Sequence, residues 1–139
     1  MLIQTISAFF ATIFFSIMFN IARKELVFCG IGGALAWFVY LCVLKISSSL
    51  VVANFFGALV AGLFSRILSR VRKVPVTIFL ISGIIPLVPG AGMYRTMLAI
   101  ISQDLSEAAR QGVITLQIAG VIAMAMVMTS SWPHPNRRN

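Results

Sequence analysis

Residues 84–95 read Ile84-Ile85-Pro86-Leu87-Val88-Pro89-Gly90-Ala91-Gly92-Met93-Tyr94-Arg95, and no regular helix can run through them. Pro86 and Pro89 lack an N–H, and each ring clashes with the carbonyl four residues back, freeing those of Ser82 and Ile85. Gly90 and Gly92 follow within the same short span and weaken the helix further. The flanking run, residues 75–101, is otherwise apolar and long enough to cross a bilayer. From 76 to 86 a helix rises about 16 Å, half of a hydrocarbon core of roughly 30 Å, so the break is expected near the membrane midplane. Unpaired backbone at that depth is tolerated only inside protein or against a water-filled cavity. Broken helices of this kind form substrate sites in transporters, because two half-helix ends present opposite partial charges to a solute. On this argument a second half-helix starts near Gly92 and aims its N–H groups, with Arg95 and the Tyr94 hydroxyl, at an anionic group such as a carboxylate. The competing reading is a proline-kinked packing helix whose Arg95 snorkels outward or pairs with Asp104 or Glu107.

The composition outside this stretch also calls for lipid as solvent. The chain has 139 residues, 60% apolar and 10% charged, against roughly 45 to 50% and about 25% in a soluble domain. Three acidic and eleven basic side chains cannot cover a water-exposed surface of this size. Five apolar segments of spanning length run over residues 1–21, 27–44, 50–68, 75–101 and 105 or 112–129. The expected fold is therefore an all-α integral membrane protein of about five transmembrane helices, the fourth broken from Pro86 to Gly92. It forms one domain over residues 1–129, with a polar, proline-rich cytoplasmic tail over 130–139. The first run has no positive leading region and no small-residue cleavage pattern before Arg23, so it is expected to be retained as a helix.

The net charge of +8 raises nucleic acid as a partner, but the basic residues flank apolar runs, the pattern of membrane anchors and topology signals. Connections are short, so sequential helices are antiparallel neighbours. Arg23, Lys24, Arg66, Arg70, Arg72, Lys73, Arg137 and Arg138 then fall on one side, and Lys45, Arg95 and Arg110 on the other. The bias places the N-terminus outside and the C-terminus in the cytoplasm.

Ala53, Gly57, Ala61 and Ser65 put a small residue at every fourth position of the third segment, and Gly30 and Ala34 make a shorter ladder on the second. Helix association in lipid depends on such close backbone approach. Asp104 and Glu107 form a capping box, Glu107 and Arg110 are spaced to pair, and residues 105–111 are expected to form an interfacial turn. Asn20, Asn54, Ser82 and Gln117 are the polar residues inside apolar runs; hydrogen bonding between helices is their default role. Asn54 and Gln117 are also candidates for a solute cavity. Cys29 and Cys42 lie about 20 Å apart on one helix, too far to pair, and serve as packing residues. His134, alone between Pro133 and Pro135, is no metal site, and no cofactor is expected.

The run over residues 57–97, centred on IPLVPGAGMYRTM, resembles the membrane-only second half of the threonine/serine exporter family, and in particular the small subunit of its split, two-chain form. The resemblance extends over nearly the whole chain and rests on Pro86, Pro89, Gly90 and Tyr94, with Phe19-Asn20 at the end of the first helix. Ile21-Ala22 follow that pair where family members often carry a proline, and Arg95 matches no position of the motif. The resemblance implies an inner-membrane exporter subunit with a larger partner that brings its own membrane helices and a cytoplasmic hydrolase-like portion. It also implies a small polar carboxylate as substrate, threonine or serine, or a dicarboxylate such as succinate. A five-helix partner that starts in the cytoplasm would be inverted relative to this chain.

The sequence shows no paired acid and base, no metal cluster and no nucleophile beside a base, so no enzyme is expected and no catalytic residue is assigned. Glu25, Asp104 and Glu107 lie near helix ends, so a proton relay would have to come from the partner. The expected substrate-binding residues are Pro86, Pro89, Gly90, Gly92, Tyr94, Arg95, Asn54 and Gln117. The alternative is a non-transporting scaffold or stability subunit of a transporter complex.

Overall fold

The computed structural model describes residues 1–131, which are almost wholly helical; His134 and all but the first two residues of the polar tail lie outside them. The elements are α1 (Leu2–Met18), α2 (Leu26–Ser47), α3 (Leu50–Arg72), α4 (Val76–Ile84), a 3-10 turn (Ile85–Leu87), α5 (Gly90–Ile101) and α6 (Leu105–Ser130).

Helices α2, α3 and α6 are each long and apolar enough to cross a membrane, and the α4–α5 pair makes a fourth span if taken as one broken helix. This is three spans, or up to four, where the sequence suggested about five. The difference lies in α1, an apolar helix of 17 residues. Its run through 21 is cut short because Asn20 takes a left-handed conformation (φ 56°) and the neighbouring residues go into the turn. The same device ends three other helices: Ser48, Lys73 and Gln103 also have φ between 54° and 59°. A left-handed residue lets the last carbonyls find partners, as when the Ser48 N–H donates to the Leu44 carbonyl at 3.0 Å.

Residues 105–111 belong to α6 itself and form no separate turn. Asp104 accepts the Glu107 N–H at 3.0 Å and nucleates the helix there. Only this half of the capping box forms, because the Glu107 carboxylate is occupied by Arg110 at 2.7 Å and Gln111 at 2.7 Å.

Helix α3 is the centre of the bundle and packs on α2, α4 and α6. Its ladder of Ala53, Gly57, Ala61 and Ser65 is buried throughout, as expected. A Cβ on Gly57 would lie 3.1 Å from the Ala36 carbonyl, which measures how closely the backbones of α3 and α2 approach. On α2, Gly30 is buried against Phe9 and Ile13, but Ala34 is only half-buried; Gly32, Gly33 and Ala36 complete the contact face. The hydroxyls of Ser16 and Ser82, both fully buried, lie 3.1 Å apart and join α1 to α4. Cys29 and Cys42 are both free thiols.

Two polar contacts tie one end of the bundle. Arg72 grips the buried Glu25 carboxylate through Nε and Nη2, at 3.1 and 2.8 Å, and its guanidinium sits over the Phe28 ring at 4.8 Å. Arg66 donates to the Ser130 carbonyl at 3.0 Å. The α1–α2 corner, the end of α3 and the end of α6 therefore share one end of the molecule. Helix α5 is different from the other helices, because it packs on α6 alone.

Candidate functional site

The break begins as a tightening of the helix. Pro86 cannot donate to Ser82, so α4 stops at Ile84 and the chain makes one 3-10 turn. Val88 is then extended (ψ 128°), Pro89 follows, and α5 departs at an angle of 50°. The Ile85 carbonyl is not left free, because it accepts the Val88 N–H at 3.3 Å. The second half-helix starts at Gly90, two residues earlier than expected, with the Gly90 N–H turned back to the Val88 carbonyl at 2.7 Å. Leu87 anchors the turn: it is only 3% exposed and sits against Gly57, where a side chain would collide with it.

Below the break lies a cleft of about 250 Å³. Pro86, Pro89, Gly92 and Arg95 form one side, Gln111 and Thr115 of α6 another, Asn54 of α3 a third and Trp37 with Tyr40 of α2 the last. Asn54 is buried and spends its Nδ2 on the Leu50 carbonyl at 2.8 Å. Thr115 donates to the Gln111 carbonyl at 2.7 Å. Trp37 and Tyr40 stack at 4.8 Å between ring centroids. The Trp37 indole N–H is buried and, among the described residues, is the one buried side-chain polar atom without a partner. The first turn of α5 has no side-chain cap, and two of its residues, Ala91 and Gly92, line the cleft.

Arg95 stands at the rim, shared with a second hollow that also holds Ser102, Asp104, Glu107 and Gln111. Its charge acts on the Glu107 carboxylate, but among the described residues it forms no hydrogen bond or ion pair. The nearby acids are engaged, Asp104 as the cap of α6 and Glu107 with Arg110.

Five of the eight residues expected from the sequence, Pro86, Pro89, Gly92, Arg95 and Asn54, come together around the cleft. The other three do not line it. Gly90 faces open space, Tyr94 is 68% exposed, and Gln117 is exposed on another face of α6. Sequence reasoning missed Trp37, Tyr40, Gln111 and Thr115. Their spacing carried a signal: Gln111 and Thr115 lie four apart and share a face with buried Ile118, whereas Gln117 is out of phase with it. Among the described residues, no three His, Cys, Asp or Glu side chains gather into a metal site.

Three apolar helices long enough to cross a membrane, and a fourth such span if the bent α4–α5 pair is counted as one, point to a multi-pass membrane protein. The chain belongs to the threonine/serine exporter (ThrE) family, whose pattern it matches over residues 4–132. It is also 31% identical over 87 residues to an uncharacterized protein of Haemophilus influenzae, an alignment that covers 63% of this chain and 29% of that protein. The chain thus matches less than a third of that relative's length. No solved structure matches it.

Proposed function

We propose that this chain is the membrane-embedded subunit of an exporter for small polar carboxylates. The substrate is threonine or serine, as the family description suggests, or a dicarboxylate such as succinate. A larger partner subunit supplies further membrane helices and a cytoplasmic hydrolase-like portion, and the complex sits in the inner membrane. In this reading α1 counts as a fifth span, the N-terminus lies outside and the C-terminus in the cytoplasm.

The observation that carries the proposal is Arg95: a guanidinium with no hydrogen bond or ion pair among the described residues, at the rim of the cleft under the broken helix. A carboxylate entering there meets this charge and the uncapped first turn of α5, with Trp37, whose buried N–H has no partner among the described residues, in the lining. Pro86 and Pro89 shape the mouth, Gly92 lets the substrate approach the backbone, and Asn54 borders the floor. Gly90, Tyr94 and Gln117 stand outside this proposed site.

The test is efflux of labelled threonine, serine and succinate from cells with and without the chain, with assembly of the two-subunit complex followed in parallel. Arg95→Gln is expected to lower efflux at least about tenfold while assembly is unchanged, the effect of losing one charge-assisted contact. If Arg95→Gln and Pro89→Ala both leave efflux intact, the cleft does not carry substrate and the chain acts as a scaffold subunit.

A further inference from the structure

The outer face of α6 carries a polar side chain at a depth where lipid offers it nothing. Of the 26 residues from Leu105 to Ser130, twelve precede Gln117 and thirteen follow it, so it sits at the middle of the span. Its neighbour Ile118 lines the cleft beside Pro86 and Pro89, which gives Gln117 the same depth as the break, on a different face. Gln117 is exposed, and among the described residues its amide makes no hydrogen bond. Ser131, where the described residues end, is fourteen positions further on, about 21 Å along the helix. In the middle of α2 and α3 the exposed side chains are Leu35, Phe38 and Leu63, all apolar. An amide in hydrocarbon loses the hydrogen bonds that water would give it, and the interface, about 15 Å away, is beyond the reach of a glutamine.

The surroundings of Gln117 suit another helix. Val113, Gly120 and Met124 lie four residues before and three and seven after it, share its stripe, and are all exposed. A Cβ on Gly120 would meet nothing within 4 Å, so no helix of this chain uses the close approach that this glycine permits. The seam with α3 and the core occupies the other side of α6, through Ile118, Ile122, Ala125 and Thr129. Copies inserted in one orientation are related by a two-fold axis along the membrane normal, and a residue on that axis meets its own counterpart. An amide is complementary to itself: each Gln117 Nε2 can donate to the Oε1 of the other. A foreign helix would have to bring a matching donor and acceptor to this depth, whereas a second copy always does.

We propose that the outer face of α6 is a homodimer interface, in which two α6 helices cross at Gly120 and the two Gln117 amides pair at the membrane centre. Hydrogen bonds between helices and small residues at the crossing are what hold helices together in lipid. The test uses single-cysteine variants of the full-length chain, with Cys29 and Cys42 replaced by alanine, oxidised in native membranes. Val113→Cys, Gly120→Cys and Met124→Cys are expected to give a disulfide-linked species of twice the chain mass. Ala119→Cys, exposed on the far side of α6, is expected to give none. In detergent, Gln117→Leu is expected to raise the dimer dissociation constant about three- to thirtyfold, measured by sedimentation. Crosslinking as strong at Ala119→Cys as at Gly120→Cys, or none at all three stripe positions, would overturn the interface. An unchanged dissociation constant for Gln117→Leu would overturn the amide pair. A Gly120→Cys adduct with a different protein in place of the dimer would overturn the second copy as occupant. Should Gln117→Leu fail to fold, Val113→Cys and Met124→Cys still decide, since both keep Gln117 and Gly120.

Discussion

Trp37 gives the sharpest statement about a single residue. A buried donor without a partner costs about 1–3 kcal/mol, yet this one lies in a side chain that lines the cleft. Trp37→Phe removes the N–H and keeps an aromatic ring. The thermal midpoint in detergent is expected to stay level or rise, while the KM for the carboxylate increases several-fold. A clear fall in the midpoint would mean that the N–H has a structural partner. Glycines allow a similarly local test. A Cβ on Gly33 would run into the Thr12 side chain, whose hydroxyl is tied to the Ala8 carbonyl at 2.8 Å, so α1 and α2 would have to move apart. Gly33→Ala is expected to cost about 1–3 kcal/mol in unfolding measurements. Gly90 has nothing within 4 Å of its added Cβ, and Gly90→Ala is expected to stay within about 0.5 kcal/mol of the parent.

At the scale of elements, the break was legible because proline acts on the backbone wherever it stands: Pro86 and Pro89 rule out a straight rod without reference to any neighbour. The ladder on α3 was legible for a related reason, since small residues at a fixed spacing mark a close contact whichever helix they meet. What could not be read was which helix. Gln117 and Gln111 are chemically alike, and only the rotational phase of α6 turns one outward and the other into the cleft. The start of α5 at Gly90 and the early stop of α1 at Met18 depend on local hydrogen bonds and left-handed corners, for which Asn20 is a weak signal and Ser48, Lys73 and Gln103 are weaker still. Replacing both Pro86 and Pro89 with alanine is expected to lengthen α4 into α5 and reduce the 50° bend. Spin-label distances between the two half-helices would read this directly, and an unchanged distance would show that tertiary packing, not proline, holds the bend.

For the whole molecule, the sequence sorted the basic residues onto two sides by counting helices, and the contacts of Arg72 with Glu25 and of Arg66 with Ser130 bring the α1–α2 corner, with Arg23 and Lys24, and the end of α3, with Arg66 to Lys73, to one end; Arg137 and Arg138 lie outside the described residues. In the proposed orientation that end faces the cytoplasm. A reporter active only in the cytoplasm is expected to work when fused after Arg138 and to fail when fused before Leu2; the reverse pattern would invert the topology. The length of α1 was not legible, because its apolar composition continues past the point where its backbone turns.

Since α5 leans on α6 and on no other helix, neither can travel without the other. The pair is fastened to the rest by the seam with α3, where Gly62 and Thr129 leave no room for an added methyl group, and by the single kinked strand at Val88 and Pro89. Arg95, halfway along α5, rides with this pair. If the cleft widens, it widens as one wall tilting, so the charge that greets the solute moves with the door.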